Sequence, residues 1–354
     1  MKRRLVIVSG VVVLLLSACR PAPSTEGLAG ATMGTTYSIR IAGAGLGAAG
    51  LARLQAEVDQ VLDEVNRQMS TYRPDSEITQ FNRAGANEPV AVSPDFLRVL
   101  RRGLEIAEAS GGAFDPTVGA LVAAWGFGAG AKARQRPDPE QVAAARQQVG
   151  YGHLAIGADG RITKGIAALQ LDLSAIAKGY GVDRVAELLL SRNIRNFLVE
   201  IGGETRAEGL NGSGVPWRVG VQRPDYGPEP GRDFEGVLGL TGGRAVATSG
   251  DYQNFYQDGD GATYAHIIDP RTAMPVRHAV ASVSVLAADC LTADGLATTL
   301  DVLGPEEGIP WLAEHFPGAE VLFVVRRDNG EYGEIASPGF AAALAYERLA
   351  GKSE

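Results

Sequence analysis

The stretch Leu171-Asp172-Leu173-Ser174-Ala175-Ile176-Ala177-Lys178-Gly179-Tyr180-Gly181 carries two kinds of pattern in immediate succession. Residues 169–173 read as an apolar strand, Ser174 stands at a helix N-cap position, and an amphipathic pattern then runs to about Ser191. Gly179 and Gly181 fall in the first turns of that helix, at a cost of roughly 1 kcal/mol each relative to alanine. Their missing side chains must serve either a closely packed neighbouring helix or a ligand approaching the backbone. The helix start, with unpaired N–H groups and Lys178 beside it, also suits an anionic phosphate. Both uses are open at this point.

Before this stretch, Thr35 to Ile41 alternates like a strand with one wet face, and residues 51–69 carry one apolar helical stripe. Further helices are expected over 96–109 and 117–125, followed by a polar loop over 129–140. After it, strands are expected at 196–201, 217–222, 236–240, 244–249, 264–268, 281–286 and 321–325, with helices at 290–303 and 305–315. Strands in runs mixed with helices point to an α+β or mixed α/β fold: mixed sheets flanked by helices, two lobes in one compact unit.

The chain has 354 residues, 45% hydrophobic and 21% charged, the composition of a globular protein. Its 33 Lys+Arg against 41 Asp+Glu give a net charge of −8, which argues against a nucleic-acid partner. Two cysteines exclude a disulfide scaffold. The N-terminus stands apart from the rest. Lys2, Arg3 and Arg4 precede an apolar run from Leu5 to Leu16, too short to span a bilayer but right for a signal-peptide core. The run ends in Leu16-Ser17-Ala18-Cys19, which resembles the bacterial lipobox, whose cysteine is lipidated. The expected organisation is a signal peptide over 1–18, a lipidated tether over 19–30, a folded domain over 31–345 and a tail over 346–354. Such a protein is exported and anchored through Cys19 to a bacterial membrane, inner or outer, facing the periplasm. Loss of residues 1–18 removes three positive charges and leaves 30 against 41, or −11. Cys290 is then unpaired and is expected to be buried and inert.

Gly45-Leu46-Gly47-Ala48-Ala49-Gly50 matches the dinucleotide-binding G-x-G-x-x-G pattern. The preceding strand has a wet face, whereas the first strand of a Rossmann fold is buried on both sides. No apolar strand ending in an acid follows, so the match is read as a surface connection. Asp294 and Thr298 lie four apart on one helix face, an oxygen pair suited to Mg²⁺, although an exposed aspartate is the plainer reading of that pattern alone. His266, expected on a strand with Asp269 three residues on, is a candidate proton shuttle, and a structural histidine is as good a reading. Four histidines without Cys/His spacing make zinc a poor fit. P-loop and α/β-hydrolase motifs are absent. What remains are the parts of Mg²⁺-dependent phosphoryl chemistry.

Nine ordered segments carry a more specific signal. They are Met33-Gly34-Thr35-Thr36-Tyr37, Ser70-Thr71-Tyr72 with Ser76-Glu77-Ile78, Gly112-Ala113-Phe114-Asp115-Pro116-Thr117, and Trp125-Gly126-Phe127-Gly128. Then come DLSAIAKGYGVD from Asp172, Glu200-Ile201-Gly202-Gly203-Glu204, Ala247-Thr248-Ser249-Gly250-Asp251-Tyr252, His266-Ile267-Ile268-Asp269-Pro270 and ADGLATTL from Ala293. Together these segments make the chain resemble the ApbE family of flavin transferases, which move FMN from FAD onto a threonine of a target protein. The resemblance spans about residues 31–345.

The resemblance implies an ApbE-like fold and gives positions roles. Met33, Tyr72, Ala113, Phe114, Asp115, Asp172, Lys178 and Ile268 fall where family members contact FAD. The Ala175 carbonyl, Asp294 and Thr298 fall where they hold Mg²⁺. His266 and Asp269 become the candidates for handling the acceptor hydroxyl's proton. Two positions depart from the pattern: Ala297 replaces a carboxylate found in some relatives, and Ala273 replaces the glycine common after Asp-Pro-x-Thr. The implied partners are FAD and a redox subunit presenting a threonine. FAD hydrolysis to FMN and AMP, or flavin storage, are the alternatives.

Overall fold

The structure, a computed structural model, describes residues 25–129, 135–222, 234–250, 255–258, 263–340 and 347–348. The signal peptide and Cys19 lie outside the described residues. In chain order, β1 (Thr25–Thr32) and β2 (Thr35–Ala42) form a hairpin that leads into α1 (Gly47–Met69). Next come α2 (Glu77–Arg83), α3 (Pro94–Ala109), α4 (Gly119–Ala124), α5 (Pro139–Arg146) and the short pair β3 (Leu154–Ile156) and β4 (Ile162–Lys164). α6 (Ser174–Ser191) precedes β5 (Phe197–Ile201), β6 (Glu204–Glu208), β7 (Trp217–Gln222), β8 (Phe234–Leu240) and β9 (Ala245–Gly250). Short strands β10 (Phe255–Gln257), β11 (Thr263–Ala265), β12 (Ile268–Asp269) and β13 (Met274–Pro275) follow. The chain then forms β14 (Val280–Ala287), α7 (Cys290–His315), β15 (Glu320–Arg326), β16 (Tyr332–Ala336) and β17 (Glu347–Arg348).

Eight strands form one sheet in the order β1-β2-β5-β6-β9-β14-β15-β16, antiparallel at each pairing. The layering follows from β14, all eight residues of which are buried. Side chains alternate across a strand. Val283 and Val285 therefore pack with Leu296 and Leu300 of α7 and with Ile176 and Tyr180 of α6. Leu286 points the other way and packs with Trp217, Leu238 and Leu240 of the small β17-β8-β7 sheet. The result is a large sheet with helices on one face and a second sheet on the other. α7 has most of its residues buried, and it breaks at the non-helical Gly304 (φ +71°) before Pro305, so its two segments match the two expected helices.

Several expectations need correction. Residues 25–30 of the expected tether belong to β1, fully paired with β2. Residues 347 and 348 of the expected tail form β17 against β8. Residues 169–173 are not a strand: Gln170 makes one isolated bridge to Val118. Side chains hold that segment instead. The buried Lys164 ammonium donates to the Leu169 carbonyl at 2.9 Å, and Asn82 takes both backbone groups of Leu171. The loop over 129–140 ends early, because Asp138 and Gln141 form a reciprocal capping box that starts α5 at Pro139. β6 and β16 carry no strong alternation in sequence and were not expected. Gly47 to Gly50 form the first turn of α1, and β2 is antiparallel to both neighbours, which excludes a Rossmann crossover.

The two helix glycines are explained by packing. A Cβ on Gly179 would fall onto the Cys290 carbonyl and within 2.8 Å of the Asp294 Cβ, so α6 and α7 touch backbone to backbone there. A Cβ on Gly181 would meet the Met33 Cε at 2.9 Å. Gly179→Ala is therefore expected to lower the unfolding free energy by about 2–3 kcal/mol in urea titration. An unchanged midpoint would contradict the close crossing.

Candidate active site

One cleft gathers most of the motif segments. Its walls include Thr71 and Tyr72, Ala113 to Asp115, Phe127 and Gly128, Asp172, Ser174, Ala175 and Lys178 at the α6 start, Gly202 and Glu204, Thr248 to Gly250, His266 to Ile268, and Asp294 with Thr298. The floor is the α6–α7 crossing. Ala175, Gly179 and Asp183 recur every four residues and so share one α6 face. On that face the two helices exchange carboxylates for backbone donors. Asp183 accepts the N–H groups of Cys290 and Leu291 at 3.0 and 2.9 Å, while Asp294 accepts the Gly179 N–H at 2.9 Å. Asp289 completes the α7 start as its N-cap. Arg206 of β6 pairs with Asp183 at 2.6 Å. Burial pushes the Asp183 carboxyl up, and the Leu291 N–H and Arg206 pull against it.

Asp294 is 3% exposed rather than solvated, and it shares the cleft wall with Thr298. The Thr298 hydroxyl lies 3.3 Å from the Ser249 hydroxyl. In an α-helix the Ala175 carbonyl is assigned the Gly179 N–H, the same donor that Asp294 engages. A carboxylate, a hydroxyl and a carbonyl competing for its donor therefore face one space, a hard-oxygen set that fits Mg²⁺ better than a softer metal. Among the described residues no three His, Cys, Asp or Glu side chains form a metal cluster. Ala297, at the position of the missing carboxylate, is buried in the apolar core and does not line the cleft.

Lys178 sits between two carboxylates, 2.6 Å from Glu204 Oε1 and 3.8 Å from Asp294 Oδ1. Burial opposes its charge, but Asp294 and Glu204 outweigh it and hold the ammonium well above the usual lysine range. Burial likewise pushes the Glu204 carboxyl up to about 7, against the pull of Lys178. The helix start itself offers an anion little. The Ser174 N–H and hydroxyl go to Asp172, and the Ile176 and Ala177 N–H groups go to the Leu173 carbonyl. Leu173 stands at the N-cap without a side-chain cap, and Ser174 is the first helical residue, not the cap.

The remaining expected residues divide into two groups. Ala113, Phe114 and Ile268 are buried in the cleft wall, and Tyr72 stands at its rim, 74% exposed. Asp115 also lines it, but its oxygens already accept from Thr117 N–H, Thr117 hydroxyl and Tyr151 N–H. Burial pushes its pKa up. Met33 is not among the lining residues; it sits at the β1–β2 turn with φ +49° and packs against Gly181. His266 occupies a bend after β11 rather than a strand, half-buried beside Phe127 with ring centroids 6.3 Å apart. Asp269 does not line the cleft: it binds Arg271 through both oxygens, at 3.0 and 3.1 Å. Ala273 keeps the left-handed turn a glycine favours (φ +62°), its carbonyl fixed by Trp125 Nε1 at 3.0 Å. Cys290 is fully buried, and burial pushes its thiol well up.

A sequence profile of the ApbE family matches residues 33–323. The chain belongs to the ApbE family. It is similar to the FAD:protein FMN transferase of Vibrio cholerae, 44% identical over 332 residues, covering 94% of this chain and 96% of that protein. The FAD:protein FMN transferase of Haemophilus influenzae is 38% identical over 92% of this chain and 94% of its own. Among solved structures, the flavin transferase ApbE from Vibrio cholerae superposes with a TM-score of 0.81 at 43% identity, covering 90% of this chain and 99% of that one. The Pseudomonas stutzeri flavinyl transferase ApbE in its apo form gives 0.80 at 36% identity, covering 90% and 96%.

Within this ApbE-family cleft, residue-by-residue reading missed Glu204, Ser249 and Asp183 as contributors. For Asp183 a signal existed: an acid on the helical face already marked by Ala175 and Gly179. Glu204 follows the Gly202-Gly203 turn, and no local pattern marks its burial. Asp183→Ala leaves Arg206 and two helix-start N–H groups without their acceptor. It is expected to lower the unfolding free energy by about 3 kcal/mol in chemical denaturation. A change below about 1 kcal/mol would contradict the clamp.

Proposed function

We propose that this protein transfers FMN from FAD to a threonine hydroxyl of a flavin-accepting redox subunit and releases AMP, with Mg²⁺ held by the Ala175 carbonyl, Asp294 and Thr298. The observation that carries this reading is the convergence of that oxygen set, the charged Lys178 and His266 on one cleft. Similarity to FAD:protein FMN transferases along nearly the whole chain supports it. Mg²⁺, when bound, would offset the charge of the diphosphate and of the leaving oxygen. Lys178 adds a fixed positive charge in the same space, needed because the rest of the chain is acidic. The exposed Tyr72 offers a ring face at the rim to an aromatic end of FAD.

In the transfer, the threonine oxygen bonds to the FMN-side phosphorus as the bond from that phosphorus to the bridging oxygen breaks. AMP departs with the bridging oxygen. His266 takes the hydroxyl proton, and Asp269, engaged by Arg271, holds the turn that carries the 266–270 segment. Incubation with FAD, Mg²⁺ and a threonine-bearing flavoprotein subunit should raise the acceptor's intact mass by one FMN unit, and EDTA should prevent it. Free FMN and AMP with an unchanged acceptor would identify a hydrolase, and intact FAD a storage protein. His266→Ala is expected to slow transfer about 10²–10⁴-fold. Asp269→Asn should slow it less than about tenfold, because its carboxylate faces Arg271. A reversed order would exchange the two roles.

We also propose that the protein is an exported lipoprotein anchored through Cys19. The reading rests on the Lys2–Cys19 sequence. No described helix is long and apolar enough to cross a membrane. Expressed in a lipoprotein-processing bacterium, the protein should partition with membranes and incorporate labelled palmitate. Cys19→Ser should abolish both. Membrane partitioning of Cys19→Ser would contradict the anchor.

A further inference from the structure

Glu204 is a buried carboxylate with an unusual set of partners. It is 2% exposed, on β6 directly after the Gly202-Gly203 turn, and it lines the cleft. Its Oε1 receives Lys178 at 2.6 Å, and its Oε2 has no hydrogen-bond partner among the described residues. A carboxylate taken out of water to make one ion pair stabilises a fold poorly. The same ammonium lies 3.8 Å from Asp294 Oδ1. Two carboxylates thus compete for one lysine, and Glu204 holds the nearer position.

We propose that Glu204 is a positioning residue that holds the Lys178 ammonium off Asp294, so that Asp294 keeps its negative charge available to a divalent cation. This inference rests on the reading of Asp294 as a cation ligand. Without Glu204, Lys178 has Asp294 as its remaining carboxylate in reach. Its charge then neutralises the ligand and occupies the space in front of it. Deleting Glu204 and Lys178 together removes one negative and one positive charge, so the field at Asp294 changes little. A Glu204 that ligated the cation directly would behave differently, because its loss would weaken binding whether or not Lys178 were present. The stem of Lys178 runs beside the Gly202 turn, where a Cβ would stand 3.5 Å from the lysine Cδ.

The test is Mn²⁺ binding to the full-length protein, followed by the electron paramagnetic resonance signal of free Mn²⁺ without FAD or acceptor. Glu204→Gln should weaken binding by about tenfold or more, as loss of a nearby charge in a low-dielectric cleft requires. Lys178→Met should tighten it, and the double variant should return to within about threefold of the unaltered protein. Equal affinity in Glu204→Gln and the unaltered protein overturns the inference while leaving the metal reading intact. Weak binding in the double variant also overturns it, because Glu204 then acts as a ligand. If Glu204→Gln fails to fold, Lys178→Met decides by itself, and weaker Mn²⁺ binding in that variant is the contrary result. Absence of Mn²⁺ binding in the unaltered protein, or binding undiminished by Asp294→Ala, removes the metal reading and this inference with it.

Discussion

The site depends on a reciprocal exchange between two buried helices. Asp183 of α6 supplies a carboxylate to the first N–H groups of α7, and Asp294 of α7 supplies one to an N–H inside α6. Neither exchange is possible unless the backbones touch, and Gly179 is what lets them. A glycine that costs helix stability is therefore repaid by contact. The same crossing brings Ala175, Asp294 and Thr298 to one cleft. The proposed site and the packing share one crossing, so the polar groups that organise the cleft floor also hold the core together.

The opposite wall is built on different principles. Trp125, Tyr256, Tyr264 and Phe127 form an aromatic cluster beneath the bend that carries His266, with ring centroids 5.4–5.5 Å apart in successive pairs. The Asp269–Arg271 pair and the left-handed Ala273 fix the turn that follows. This wall is made of loops and short strands, whereas the floor is helix on helix. A helix-on-helix floor beneath a wall with more irregular backbone suits the proposed reaction, in which a small substrate binds deep and a protein substrate approaches from outside.

Much of this was legible in the sequence. Period-2 and period-3.6 patterns marked β2, α1, α3 and α6 because each buries a regular face. The ordered motifs identified the family, since their spacing reflects segments that meet in one cleft. What failed to show was structure stabilised by side chains. Residues 169–173 look like a strand but are held by Lys164 and Asn82. Asp269 looks like an acid poised beside a histidine, but three dimensions turn it to Arg271. Glu204 escaped notice because its burial depends on β6 lying between β5 and β9, a long-range pairing invisible to local pattern.

The most direct test of where the chemistry sits is a crystal of the protein grown with FAD and Mn²⁺ and measured at the manganese absorption edge. The expected anomalous peak lies in bonding contact with Asp294 and Thr298, with the FAD diphosphate beside Lys178. A peak elsewhere, such as the acidic groove of Asp59 and Asp63 beside β1, or a diphosphate bound away from the α6–α7 crossing, would contradict the assignment.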